Sequence, residues 1–244
     1  LAVLLAPSIL NLNLYVYPPQ YTNEPTIKVA NSGNSTIPEG STLKWEVFTK
    51  STDTVVFQHN NSQSFFTKSD QQFSYSKSVS QPLRYSISTS NTDLKDYETL
   101  DYFINVVKDE PPAIRIKMNR DTTAQERLYF YGQVSDDYGI RALRLHYFAS
   151  ESPNNISVLK LPLTQNNLQE FSYVFPNNLD LIEGADYSLY FEVIDNDRLH
   201  NFKSTRSRTF MYKQKTETQL EASIIKEQSA ASSAFQKALN ELVV

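Results

Sequence analysis

The stretch LIEGADYSLYFEVIDND, residues 181–197, decides the fold of the second half of the chain. From Tyr187 to Val193, apolar residues alternate with more polar ones, which is typical of a strand with one buried and one wetter face. Leu181, Gly184 and Tyr187 have the spacing of a corner that leads into a late strand of an immunoglobulin-like sandwich, where the tyrosine hydroxyl bonds back to the preceding loop. The segment therefore predicts a β-sandwich.

The same alternation recurs on both sides of this segment, in two sets separated by KDEPP, residues 108–112. In the first set, Leu10, Leu12, Leu14 and Val16 predict the buried face of one strand. The second set contains about seven strands in roughly 100 residues, the size of one sandwich. The paired prolines cannot donate hydrogen bonds to a sheet and mark the boundary. We predict an all-β chain with two tandem immunoglobulin-like or fibronectin-like sandwiches, residues 1–109 and 110–213, and a C-terminal helix over residues 214–244.

The periodicity changes at Thr216, where a helix is predicted. Thr216 and Gln219 have the spacing of a capping box, and no proline or glycine follows them. The imperfect heptad leaves two interpretations open: the helix begins a coiled coil, which we favour, or it lies on the second sandwich. Four apolar residues at helical spacing are candidates for contacts with a partner: Leu220, Ile224, Phe235 and Leu242.

Composition and motifs exclude several classes of function. The 23 basic and 27 acidic residues give a net charge of −4, with no basic run that would indicate nucleic-acid binding. The chain has no cysteine, which excludes disulfides and thiolate sites and is compatible with the cytosol or a bacterial envelope. No zinc, nucleophile-elbow or phosphate-loop motif occurs, and His146 is interpreted as a solvated strand residue. We expect a protein that is not an enzyme and has no cofactor apart from the calcium considered next.

Two acidic clusters, SDDYG at residues 135–139 and DND at residues 195–197, are candidates for a metal site. In a sandwich they follow the second and sixth strands, whose loops lie at the same end of the fold. Ca²⁺ takes six to eight oxygen ligands. The alternative is that the acids build turns through their own backbone bonds, neutralised by nearby basic residues such as Lys203. The calcium hypothesis places six carboxylates at the junction of the two sandwiches: Asp109, Glu110, Asp136, Asp137, Asp195 and Asp197.

Tyrosines on the outward-facing positions of the predicted strands form a second candidate surface. Aromatic rings with a polar tip suit the stacking of sugars and the docking of proteins. The alternative is that the rings pack under a neighbouring domain or the helix. The candidates are Tyr15, Tyr17, Tyr129, Tyr131 and Tyr190.

Several phrases resemble a family of large Bacteroidota envelope proteins of unknown function. They include YPPQYTNEPTIKVANSGNSTIPEGSTLKW (17–45) and GQVSDDYGIRALRLHY (132–147), and the resemblance extends to about residue 225. It implies immunoglobulin-like modules between N-terminal membrane helices and a long coiled-coil region. It also implies a location in the cell envelope, facing the periplasm and anchored in the inner membrane by segments outside this chain. The resemblance implies no catalytic residue.

These observations lead to one functional hypothesis and one alternative. The chain opens without methionine and part-way through an alternating pattern, so we interpret it as a segment of a longer protein. We expect a non-catalytic spacer and protein–protein interaction module of a membrane-anchored envelope protein, with protein partners in the envelope that include a larger membrane assembly. The alternative is a ligand-binding module that recognises a glycan through the tyrosines or Ca²⁺ through the acidic junction.

Overall fold

The computed structural model describes residues 4–121, 127–164 and 166–242, with side chains as far as Asn240. The chain forms two compact units that divide between Glu110 and Pro111. Both units are built from β-strands, and the described part of the second unit ends in a long helix.

The first unit contains two sheets of five strands each among its described residues, in the orders β2-β1-β4-β8-β7 and β3-β10-β9-β5-β6. Neighbouring strands are antiparallel except for β3 and β10, which are parallel. The strands are β1 (Ser8–Tyr17), β2 (Ile27–Ala30), β3 (Ser35–Pro38), β4 (Ser41–Lys50), β5 (Thr54–His59), β6 (Ser62–Phe65), β7 (Thr67–Ser69), β8 (Gln72–Val79), β9 (Leu83–Ser90) and β10 (Glu98–Val107).

The core of the first unit lies between these two sheets and is centred on Trp45, which is fully buried. The Trp45 indole packs on Phe57 and Tyr85 of the opposite sheet, with ring centroids 5.0 and 5.3 Å apart. Its Nε1 donates a hydrogen bond of 2.7 Å to the hydroxyl of Tyr85, which in turn donates 2.6 Å to the backbone oxygen of Gly33. A buried polar chain therefore joins the two layers within an apolar core.

The alternation predicted for β1 holds only in part. Leu12, Leu14 and Val16 are buried as expected, but Leu10 is 62% exposed. The register with β4 shifts at a bulge between Ile9 and Asn11, and an extra residue in one strand reverses the side that the following residues face. The prediction for Leu10 was therefore wrong.

Among its described residues, the second unit contains a sheet of three strands, in the order β11-β12-β15, and a sheet in the order β14-β13-β16-β17 with β18 also paired to β16. Phe130 of the first sheet meets Phe191 of the second with ring centroids 5.1 Å apart, so the core again lies between two layers. The described strands are β11 (Ala113–Arg120), β12 (Leu128–Ser135), β13 (Ile140–Ala149), β14 (Ser157–Leu161), β15 (Leu168–Phe175), β16 (Asp186–Asp195), β17 (Ser204–Arg206) and β18 (Phe210–Lys213).

The corner predicted before β16 is confirmed. The hydroxyl of Tyr187 accepts a hydrogen bond of 2.8 Å from the backbone nitrogen of Ile182. Gly184 has φ of +74°, a conformation that glycine adopts without the steric cost of a side chain.

The helix α1 (Glu217–Leu242) begins at the predicted capping box. The Thr216 hydroxyl accepts from the Gln219 nitrogen at 3.3 Å, and the Gln219 side chain accepts from the Thr216 nitrogen at 3.2 Å. Leu220 and Ser223 are half-buried, whereas every residue from Ile224 to Asn240 is exposed. Beyond its first two turns, the described helix therefore does not lie on the second sandwich.

Candidate metal centre

The two acidic loops meet at one end of the second unit. The backbone nitrogen of Asn196 donates to the oxygen of Gly139 at 3.1 Å, and the Asn196 amide donates to the oxygen of Tyr138 at 3.4 Å. Gly139 has φ of +150°, and a Cβ placed there would lie 2.8 Å from the Asn196 amide nitrogen. A side chain at residue 139 would be strained at this φ and would displace the Asn196 amide.

Asp136 forms a tight turn with one of its two carboxylate oxygens. Its Oδ2 accepts from the nitrogens of Tyr138 at 3.0 Å and Gly139 at 2.7 Å. Its Oδ1 is buried and has no hydrogen-bond partner. Burial raises the pKa of Asp136 and the neighbouring Asp137 charge adds to this, while the two backbone donors act in the opposite direction.

Asp195, at the end of β16, has 0% of its surface exposed. Its Oδ1 accepts from the nitrogen of Asp197 at 3.1 Å, but its Oδ2 has no hydrogen-bond partner. Burial raises its pKa to about 6, and the negative charge of Asp136 contributes in the same direction. The two carboxylates therefore interact, and each keeps one buried oxygen uncommitted.

Asp197 is also fully buried, but its hydrogen bonds occupy both carboxylate oxygens. Oδ1 caps a short 3₁₀ turn by accepting from Leu199 and His200 nitrogens at 2.9 and 3.3 Å. Oδ2 accepts from His200 Nδ1 and from Lys203 Nζ, the latter at 3.0 Å. Burial alone would raise the pKa of Asp197, but the bonds from His200 and Lys203 lower it. Turn chemistry with a basic partner thus describes Asp197.

The other three predicted metal ligands are placed differently. Asp137 is exposed, and its backbone oxygen accepts from the Asn167 amide at 2.7 Å. Asp109 and Glu110 end the first unit, whereas Asp136 to Asp197 belong to the second. A shared site for all six carboxylates at the junction stays a prediction.

The structure also contains a cluster of a histidine, a glutamate and an arginine that the sequence analysis missed. His146 is buried, contrary to its interpretation as a solvated residue, and its Nε2 lies 2.9 Å from Oε2 of Glu192. The Glu192 Oε1 accepts from Arg206 Nε at 3.2 Å. Tyr190, the cross-strand neighbour of His146, covers the imidazole with rings 4.7 Å apart and nearly parallel. Because this packing lies on the outer face of the sheet, the alternation pattern gave no sign of it.

The five candidate tyrosines do not share one face. Tyr15 and Tyr17 lie on β1 in the first unit. Tyr129 and Tyr131 lie on β12, in one sheet of the second unit, and Tyr190 lies on β16 in the other sheet. Tyr17 and Tyr131 are exposed, and the other three are half-buried.

The four candidate interaction residues of α1 are on the same helix at the predicted spacing. Leu220 is half-buried, and Ile224 and Phe235 are exposed. The side chain of Leu242 lies outside the described residues. In the described part of the chain, no helix has both the length and the apolar character needed to span a membrane.

Comparison with protein families identifies the chain. The model of a domain of unknown function, DUF4175, matches residues 4–179. The chain belongs to this family. The DUF4175 match covers the described first unit and the second unit through β15, so that the loop at residues 195–197 and the helix α1 lie beyond it.

Other comparisons add no function to the DUF4175 assignment. No curated protein matches the chain. A chimeric titin Z1Z2 structure has 13% identity and a TM-score of 0.31, and the match covers 86% of this chain and 97% of that one. Fibronectin(III)-like modules of Clostridium thermocellum CbhA have 12% identity and a TM-score of 0.25 over 76% and 90% of the chains. Titin domains A168–A170 have 11% identity and a TM-score of 0.30 over 84% and 68%. Because these TM-scores are low, the sandwich architecture rests on the packed sheets themselves.

Proposed function

We propose that this DUF4175 chain is a non-catalytic structural segment of a membrane-anchored cell-envelope protein. The two sandwich units act as a spacer, and the helix α1 pairs with the same helix of a second copy. The observation that carries this proposal is the exposure of large apolar side chains along α1, where Ile224 is 40% and Phe235 is 70% exposed.

The exposed residues follow the spacing of a coiled-coil seam. Ile224, Ala231, Phe235 and Ala238 recur at steps of three, four and seven along α1, which places them on one side of a helix. The two small alanines allow two copies of the helix to approach closely. Ile224 and Phe235 would each stabilise the pair by about 1.5–3 kcal/mol when buried. Most of the stability of a helix in a protein comes from the packing of its apolar face, so pairing would supply the packing that α1 lacks against the sandwich.

Self-association tests the pairing of α1. The whole chain should dimerise in sedimentation equilibrium, and an Ile224→Ser, Phe235→Ser variant should be monomeric with less helical circular dichroism. An Ala222→Ser variant is the matched control because residue 222 lies on the opposite side of the helix. A native chain that stays monomeric at all concentrations would contradict the pairing.

The envelope location is supported by the phrases that resemble Bacteroidota envelope proteins, at residues 17–45 and 132–147. An antibody against this chain should detect it in the membrane fraction of native cells. Added protease should digest it only after the outer membrane has been permeabilised. Recovery in the soluble cytosolic fraction would contradict the location.

A further inference from the structure

We propose that the second unit binds a hard divalent cation, with Ca²⁺ as the physiological ion, between the carboxylates of Asp136 and Asp195. The site does not depend on the proposed function, because both residues belong to the second unit and neither lies in α1. It also differs from the predicted junction site, since two carboxylates of one unit form its basis.

The first observation is the uncommitted oxygen of Asp195. This side chain is fully buried, yet its Oδ2 has no hydrogen-bond partner. Buried carboxylate oxygens in proteins are almost always paired with donors or with metal ions, because their desolvation is costly. A fully buried anionic oxygen without a donor therefore indicates a ligand for it.

The second observation is the matching oxygen of Asp136. Its Oδ1 is also buried without a partner, and its Oδ2 is fixed by two backbone nitrogens. The Oδ1 of Asp195 is fixed in the same way by the nitrogen of Asp197. The backbone donors on Asp136 Oδ2 and Asp195 Oδ1 fix the orientation of each carboxylate and so of its other oxygen. Hydrogen bonds around metal ligands have the same role. Each carboxylate thus presents one oriented oxygen.

The electrostatic balance of this end favours an added positive charge. The charge of Asp136 raises the pKa of Asp195, after the larger effect of burial, so the two acidic groups repel each other. The charge of Lys203 acts on both carboxylates, but its ammonium is bonded to Asp197 at 3.0 Å. His200 is bonded to Asp197 as well. Both basic residues therefore bond to the third carboxylate, Asp197.

The donor chemistry selects the ion. The site offers carboxylate oxygens, and the chain contains no thiolate. Ca²⁺ accepts oxygen ligands in irregular arrangements and completes its shell with water, whereas Mg²⁺ demands near-octahedral geometry. With two carboxylates, the affinity should be that of extracellular calcium modules, about 10⁻⁴–10⁻³ M.

A metal titration of the whole chain tests this site. After EDTA treatment, Ca²⁺ is added up to about 10 mM, roughly ten times the weakest expected dissociation constant. The melting temperature of the second unit should rise by about 3–8 °C, as expected for a ligand that binds only the folded state. The first unit supplies an internal control, since the single tryptophan, Trp45, lies there and its transition should not move. Terbium bound beside Tyr138 should luminesce on tyrosine excitation and be displaced by Ca²⁺.

Two variants and a control decide the assignment. An Asp136→Asn, Asp195→Asn variant should lose both the shift and the luminescence, whereas Asp180→Asn, an exposed acid of the same unit, should keep both. If the double variant fails to fold, Asp136→Asn alone, at a half-buried position, should weaken the response at least tenfold. A native second unit that ignores Ca²⁺ and terbium, or a folded double variant that responds as the native chain does, would overturn the proposal.

Discussion

The hydrogen-bonded pair at the centre of the first unit allows a quantitative test of how its two sheets are joined. Replacement Tyr85→Phe keeps the ring and removes only the hydroxyl, which accepts from Trp45 at 2.7 Å and donates to Gly33 at 2.6 Å. Both partners are buried. Each of the two groups left without its bond costs about 1–3 kcal/mol, so the free energy of unfolding of the first unit should fall by about 2–6 kcal/mol.

The assay is urea unfolding followed by tryptophan fluorescence. Trp45 is the single tryptophan, so its emission reports the first unit. The control is Tyr187→Phe in the second unit, whose hydroxyl accepts one backbone bond of 2.8 Å and which should leave the tryptophan transition unchanged. If the free energy of unfolding of Tyr85→Phe lay within about 0.5 kcal/mol of the native value, the reasoning would be refuted. That is the usual range for substitutions away from buried features.

Two further predictions concern the second unit. Burial would raise the pKa of Glu192, but the bond from Arg206 and the charges of His146 and Arg206 lower it below its ordinary 4.5. Near this pH the folded state therefore binds fewer protons than the unfolded state. The stabilisation by Glu192 is present above pH 4.5 and is lost as the pH falls through the lowered pKa. Glu192→Gln should cost about 1–3 kcal/mol at neutral pH and flatten the acid limb of the stability curve measured by chemical unfolding. Gly132→Ala should cost about 1–3 kcal/mol, because a Cβ would lie 2.3 Å from the Phe171 ring; calorimetry that shows an unchanged melting temperature would contradict this.

Local patterns predicted those parts of the structure that depend on neighbouring residues in the chain. The alternation around Tyr187 identified β16 and its corner, and Thr216 with Gln219 located the start of α1. The prediction failed at Leu10, where a bulge in pairing with another strand changes which side faces the core. A bulge depends on the partner strand, so the sequence of one strand does not reveal it.

The acidic end shows the same limit at the level of single side chains. Asp195 and Asp197 are two residues apart in one DND sequence, yet one keeps a buried oxygen uncommitted and the other is fully bonded. The difference arises because the chain returns after the 3₁₀ turn and the oxygen of Lys203 accepts from the nitrogen of Asp195 at 3.0 Å. This return places the Lys203 ammonium on Asp197. The two acidic motifs indicated a charged end, but only the path of the backbone distinguishes a turn residue from a candidate ligand.

The pairing of β13 with β16 governs how quickly the second unit can fold. His146 and Glu192, whose side chains meet across these strands, are 46 positions apart in the chain. Strands β12 and β13 each pair locally with another neighbour, β11 and β14, but each must also find a distant partner, β15 and β16. The entropy of closing long loops must be overcome before such pairs are stabilised, and folding slows to milliseconds or seconds as a result. Until β16 has been synthesised and has paired with β13, that edge of β13 is unpaired and can pair with other chains. The second unit is therefore most prone to aggregation during synthesis.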